Sequence, residues 1–153
     1  MGADISVNRK ALRDYHILHR WEAGIELKGT EVKSIRSGFA NINNAFARIE
    51  NGQAFAYDVD IQPYARASHE QHEPKRSRRL LLHKSEIEKL QALTQVQGHT
   101  IVAIRMYWKD ARVKLELGIG KGKESHDKRE DLKERASKRE SDREVARFNK
   151  RHT

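Results

Sequence analysis

Apolar and polar side chains alternate most cleanly just before residue 120. Val113, Leu115, Leu117 and Ile119 alternate with Arg112, Lys114, Glu116 and Gly118, the period of a strand with one buried face. A partner strand is expected over 100–108. The helix before it opens at the capping box Ser85-Glu86-Ile87-Glu88, turns Ile87, Leu90 and Leu93 inward and ends at Gly98. Upstream, residues 45–50 and 53–61 form a hairpin around Asn51-Gly52, a strong type I′ turn signal. In its second arm Phe55, Tyr57, Val59 and Ile61 form one series and Ala54, Ala56, Asp58 and Asp60 the other, and Pro63 ends the arm. Residues 15–21 and 25–27 read as two strands, bent at Glu22-Ala23-Gly24. A short helix follows, with Thr30 as N-cap and Gly38 as stop; Val32 and Ile35 face inward, Glu31, Lys33 and Arg36 outward. Asn8 caps one helical turn over 8–13, after a loose lead-in at 1–7. Residues 65–79 are a polar loop whose basic end runs into Leu80-Leu81-Leu82. The sum is a mainly β chain of about six strands with two or three short helices. Because closure removes exposed sheet edges, the expected architecture is a closed six-stranded β-barrel of OB-like character.

Beyond Gly120 the pattern changes. From Lys121 to Thr153 the only sizeable apolar side chains are Leu132, Val145 and Phe148, too few to offset the entropy of ordering the backbone. Acid precedes base at helical spacing in Asp131/Arg135, Glu134/Lys138 and Glu130/Lys133. The segment is therefore expected to be disordered when free and helical once a surface orders it. Two regions result: 1–120, a barrel, and 121–153, a basic tail.

Charge adds a partner class. The chain carries a formal +9, of which twelve basic and eight acidic residues place +4 beyond Gly120 and leave +5 before it. Basic character in both regions favours a polyanion, nucleic acid first. A membrane surface suits it less, because the tail lacks an apolar face, and no apolar run approaches a span. Cysteine is absent, which removes disulfides, thiolate metal sites and Cys nucleophiles. With no signal-type hydrophobic region, the profile is cytoplasmic.

Candidate chemistry points the same way. His69 and His72 lie in a polar loop without an obvious third ligand, and His16 and His19 would face opposite sides of a strand. No Walker-type loop, nucleophile elbow or acidic two-metal cluster is present, so neither enzymatic activity nor a cofactor is expected. The basic sources are Arg9, Lys10 and Arg13, then Lys33 and Arg36, then Lys75, Arg76, Arg78 and Arg79. Asn8 and Asn41 could supply hydrogen bonds, and His83, Tyr64 or Trp21 could stack on unpaired bases. Trp21 and Trp108 read equally well as core or sheet-surface residues. Glu22 is the odd member, because an acid in a basic surface repels phosphate. Its place suggests a local structural bond or a contact to a base amino group or ribose hydroxyl. The residues alone define a small basic β-barrel RNA-binding protein with a functional tail.

An ordered set of segments narrows this further. Asn8-Arg9-Lys10-Ala11, Glu22-Ala23-Gly24-Ile25, the run from Gly29 to Gly38, Arg79-Leu80-Leu81-Leu82-His83, and Lys121-Gly122-Lys123 leading into His126-Asp127-Lys128-Arg129-Glu130 resemble the SsrA-binding protein (small protein B) family. The resemblance runs from Asn8 to about Arg135. It implies a non-enzymatic, OB-like partner of bacterial transfer-messenger RNA that grips the tRNA-like domain of that RNA. The complex, with elongation factor Tu carried through the RNA, enters ribosomes stalled on messages lacking a stop codon. By position, the resemblance assigns Glu22, Leu81 and His83 to RNA binding, with Asn8, Lys33, Arg36 and Asn41 as further candidates. It assigns Lys121, Gly122 (as a hinge), Lys123, His126, Asp127, Lys128 and Arg129 to a tail that probes the empty mRNA channel and decoding centre. The chain departs from the family pattern at Asp110-Ala111, where Asn-Gly is usual, at Ala103, where Pro is often found, and at Glu124, often Lys. A generic tRNA- or ribosome-binding protein is the rival reading.

Overall fold

The computed structural model describes residues 4–63 and 72–123. Its elements are β1 (Asp4–Val7), α1 (Arg9–Asp14), β2 (Tyr15–Ile25), α2 (Gly29–Arg36), β3 (Ala40–Asn41), β4 (Phe46–Glu50), β5 (Gln53–Tyr57), β6 (Asp60–Ile61), β7 (Arg78–Leu81), α3 (Lys84–Thr94), β8 (His99–Lys109) and β9 (Arg112–Gly122). Six strands pair antiparallel in the order β8-β4-β5-β7-β2-β9, and β9 pairs back onto β8, closing the ring. The fold is thus mainly β with three short helices among the described residues, and the expected six-stranded closure is present. β1 extends the β8 edge, and β3 with β6 makes a separate two-stranded ribbon.

The core fills the ring. Val113, Leu115, Leu117 and Ile119 of β9 are buried, as their alternation predicts, together with Ile101 and Met106 of β8 and Leu90 of α3. Leu90 seals one end, with the half-buried Ile87 and Leu93 packed beside it. Trp21 and Trp108 are both partly buried and pack against this core.

Several local expectations are corrected. Residues 4–7 form a strand on β8 instead of a loose lead-in. β2 is continuous from Tyr15 to Ile25, because every residue from 19 to 24 has a β9 partner; its irregularity lies between Ile17 and His19. In β5 it is Ala54 and Ala56 that are buried, with Phe55 and Tyr57 turned outward and half-buried. Asp58 adopts φ 57° and shifts the phase by one residue, so Val59 and Ile61 point inward after it. Ala54 and Ala56 thus face the buried core alongside Leu115, Leu117 and Ile119 of β9. α2 is capped at Lys28, whose N–H donates to Glu31 Oε1 at 2.8 Å, and not by Thr30. α3 starts two residues early, with the His83 N–H donating to Glu86 Oε1 at 3.0 Å.

The β8–β9 turn carries the departure at 110–111. Asp110 and Ala111 take φ of 50° and 62°, the left-handed pair a type I′ turn demands. For Ala this costs about 1 kcal/mol relative to Gly. Ala111→Gly is expected to raise stability by roughly 0.5–1 kcal/mol, read as a higher urea midpoint at unchanged slope. The other described departure also has a consequence: the Ala103 N–H donates to the Ala45 carbonyl at 3.1 Å, a bond a proline could not make.

Candidate nucleic-acid interface

β7 and β2 build one wall of a groove on the outside of the ring. They pair antiparallel with Gly24 opposite Leu81 and Ile25 opposite Leu80. Strand alternation then sorts the basic run leading into β7: Arg78 and Leu80 point inward, Arg79 and Leu81 outward. Leu81 is 52% exposed, an unusual place for a leucine. It lies directly over β2 because Gly24 has no side chain; a Cβ there would come within 3.1 Å of the Leu81 Cβ. The chain then turns at His83 into α3, leaving that imidazole exposed at the helix start.

The resulting groove has a volume of about 590 Å³, and Glu22, Arg79, Leu81, His83 and Lys114 are among the residues lining it. It offers the Glu22 and Glu86 carboxylates, an apolar platform, an imidazole and two cations along one open cleft. The Glu22 carboxylate accepts a hydrogen bond from the Tyr107 hydroxyl and lies 3.0 Å from Lys109 Nζ. The bonds from Tyr107 and Lys109 hold its carboxyl below the ordinary glutamate value, so it is an acceptor at neutral pH. Burial first, and then the bond to Glu22, push the Tyr107 phenol far above its usual value, keeping it a donor.

Glu22, Leu81 and His83 therefore converge from β2, β7 and the start of α3, just over sixty residues apart in sequence at their ends. The remaining candidates lie elsewhere. Lys33 and Arg36 are on the exposed side of α2, with the Arg36 guanidinium 6.0 Å from the Trp108 ring centre. Asn41 is exposed on β3, where its Oδ1 accepts from the Asn43 N–H at 2.8 Å. Asn8 is corrected outright. It is 2% exposed; its Nδ2 donates to the Ala103 carbonyl at 2.7 Å and its Oδ1 accepts from the Ala11 N–H at 3.0 Å. Its amide is consumed in fastening α1 to β8. Asn8→Ala should cost about 2 kcal/mol, a lost cap plus a lost buried bond, in chemical denaturation. The folded variant should bind nucleic acid with wild-type affinity.

Two basic side chains counted as phosphate contacts are also redirected. Arg76 and the fully buried Arg78 both bind Glu31, itself fully buried, although sequence periodicity turns it outward. His72 is likewise buried, donating from Nε2 to the Ile61 carbonyl at 2.7 Å with Nδ1 2.9 Å from Thr30 Oγ1. Among the described residues no group of three His, Cys, Asp or Glu could hold a metal ion, and no helix is long and apolar enough to cross a membrane. Sequence reasoning missed Lys114 as a groove cation and Lys109 as the partner of Glu22. Lys114 alternates with the apolar β9 series, so its outward face was legible, but its neighbour Glu22 was not.

At the far end, β9 runs through Gly122, two residues past the expected end of the barrel at 120, and the chain divides compactly after that residue. Lys121 pairs with His16 and His99, and Gly122, the expected hinge, pairs with Tyr15. His126, Asp127, Lys128 and Arg129, and the predicted tail helix, lie outside the described residues.

A closed ring of antiparallel strands, carrying a mixed acidic, apolar and basic groove on a chain of net +9, defines a small OB-like protein of the nucleic-acid-binding kind. The model of the SmpB protein family matches residues 5–147, well past Arg135, where the resemblance read from the residues fades. The chain belongs to the SmpB family. It is 52% identical over 136 residues to the SsrA-binding protein of Carboxydothermus hydrogenoformans, covering 89% of this chain and 91% of that one. It is 50% identical over 133 residues to the SsrA-binding protein of Geotalea uraniireducens, covering 87% and 88%. A chain of a solved structure described as "tmRNA-SmpB: a journey to the center of the bacterial ribosome" superposes with a TM-score of 0.66 at 41% identity, covering 78% of this chain and 84% of that one.

Proposed function

We propose that this protein binds the tRNA-like domain of transfer-messenger RNA (SsrA) and delivers it to stalled ribosomes for trans-translation in the bacterial cytoplasm. The observation that carries the reading is the convergence of Glu22, Leu81 and His83 in one groove, in a chain of the SmpB family. A carboxylate fixed in its charged form accepts from a base amino group or ribose hydroxyl. The exposed leucine offers an apolar face to an unstacked base, and the imidazole a stacking surface. Arg79 and Lys114 sit where phosphates flanking such a nucleotide would run. Lys33, Arg36 and Asn41 extend the footprint over α2 and β3. The groove does binding work only; elongation factor Tu joins the delivery complex through the RNA. Lys121, Gly122, Lys123, His126, Asp127, Lys128 and Arg129 engage the mRNA channel and decoding centre of the small subunit.

The test titrates the full chain and a chain ending at Lys123 against the tRNA-like domain and an ordinary tRNA at one salt concentration. Ending at Lys123 spares the whole of β9. Both proteins should prefer the tRNA-like domain with similar affinity, and only the full chain should support tagging on stalled ribosomes. Equal affinity for both RNAs would return the protein to a generic tRNA binder. Loss of RNA binding on truncation would move the interface into the tail.

A further inference from the structure

The Glu22 carboxylate does not stand alone, and its support comes from β8, a strand that lines none of the cleft. Tyr107 of β8 is 6% exposed, and its hydroxyl donates to Glu22 Oε2 across the outer face of the sheet. Its ring is clamped by the Arg105 guanidinium, 4.2 Å from the ring centre. Arg105 in turn is held by Asp4 at 2.8 Å and Glu116 at 3.6 Å. Glu116, directly opposite Glu22 in the β2–β9 register, is also bound by Arg20 at 2.8 Å. The like charge nearest Glu22 in the ladder is thereby neutralised. A carboxylate has about four lone-pair positions. Tyr107 takes one and Lys109 reaches both oxygens, at 3.0 and 3.3 Å, which leaves acceptor capacity for a ligand in the groove.

We infer that Tyr107 is a positioning residue for RNA recognition: from a buried, rigid strand it orients the Glu22 carboxylate so that the remaining lone pair meets a donor of the bound nucleotide. The inference rests on the RNA-binding reading of the groove. Without the phenol, Glu22 would keep only Lys109, an exposed and flexible partner, and would sample rotamers that leave the groove. Holding an acceptor still before the ligand arrives lowers the entropic cost of binding, which is how a residue outside the cleft changes affinity.

The test compares wild type, Tyr107→Phe, Glu22→Gln and the double variant, each as the full chain, against the tRNA-like domain of transfer-messenger RNA. The phenylalanine keeps the ring under Arg105, so thermal unfolding should show a folded protein. Tyr107→Phe should weaken binding about tenfold, and the double variant should bind no worse than Glu22→Gln, because both act through one carboxylate. A carbon-detected NMR titration of the Glu22 carboxyl supplies a readout that packing alone would not move. The groups facing that carboxyl are Tyr107 and Lys109 from β8, Lys114 and Glu116 from β9, and Arg79, His83 and Glu86 along the groove. Its midpoint should lie below the ordinary glutamate value in wild type and rise in Tyr107→Phe. A wild-type midpoint at the ordinary value overturns the inference whatever the variants do. So does a tyrosine variant with unchanged affinity, or losses that add in the double variant. Failure of the RNA reading looks different: Glu22→Gln would then bind like wild type.

Discussion

Glu31→Gln should destabilise the protein by about 3–5 kcal/mol, the largest effect expected of any single conservative substitution in the described residues. Glu31 is fully buried at the start of α2 and accepts from Arg78 Nε at 2.6 Å, Arg76 Nε at 3.1 Å and the Lys28 N–H at 2.8 Å. Arg78, also fully buried, makes further bonds to the carbonyls of Val59 and Pro74. A glutamine preserves shape but leaves the Arg78 charge buried without its counter-ion. A domain of this size has a total stability of roughly 5–15 kcal/mol, so the loss is a large share of the whole. The pH dependence follows with a definite sign. Burial pushes the Glu31 carboxyl up, but the bonds from Arg76, the Lys28 amide and Arg78 outweigh it and hold it below the ordinary value. Its contribution is therefore complete above the unfolded-state pKa of about 4.3 and is lost as pH falls through the lower folded-state value. Urea unfolding at pH 7 and at pH 3 should differ more for wild type than for Glu31→Gln. A variant within about 1 kcal/mol of wild type at pH 7 would show that the buried pair carries little. The consequence reaches function, because this knot ties the segment entering β7 to α2 and so sets where Arg79 and Leu81 emerge.

Glu22→Gln should weaken binding to the tRNA-like domain by about ten- to a hundredfold, the size of a hydrogen bond to a charged group. Stability should barely change, since the side chain is partly exposed and its pair with Lys109 lies at the surface. Affinity for an ordinary tRNA should stay level or rise slightly, because the substitution removes a negative charge from a basic surface. The slope of log affinity against log salt should not change, as a carboxylate contacts no phosphate. Filter binding or fluorescence titration of both RNAs across a salt series reads all three quantities. Equal losses for both RNAs would mean that Glu22 supports the surface without reading this ligand.

These two acids show where sequence pattern succeeds and where it stops. Glu22 drew notice because an acid among basic residues is costly unless used, and the groove around it supplies the uses. Glu31 obeyed the same local rule, placed on the polar side of an amphipathic turn, and that rule failed. The reason is distance: its partners Arg76 and Arg78 lie more than forty residues away, so no window around Glu31 contains them. Asn8 failed the opposite way. Its capping role was legible, while the second bond, to the Ala103 carbonyl, buries the amide and removes it from the interface. In β5 the alternation itself was correct, but period two says only that two faces differ. Which face meets the core was settled only in the fold, where Asp58 takes a left-handed conformation and the phase changes after it.

The amino-acid sequence by itself determined the alternating strands, the Asn51-Gly52 turn, the helix at Asn8, the mainly β class and the ordered segments that mark the family. These depend on side chains within a few positions of one another, where propensity, capping and periodicity act directly. Only the tertiary structure decided that β2 is continuous, that Arg78 turns in while Arg79 turns out beside it, and that Glu22, Leu81 and His83 share one groove backed by Tyr107. Those outcomes require pairings across long stretches of chain, and closing the ring is what brings the partners within reach of a hydrogen bond.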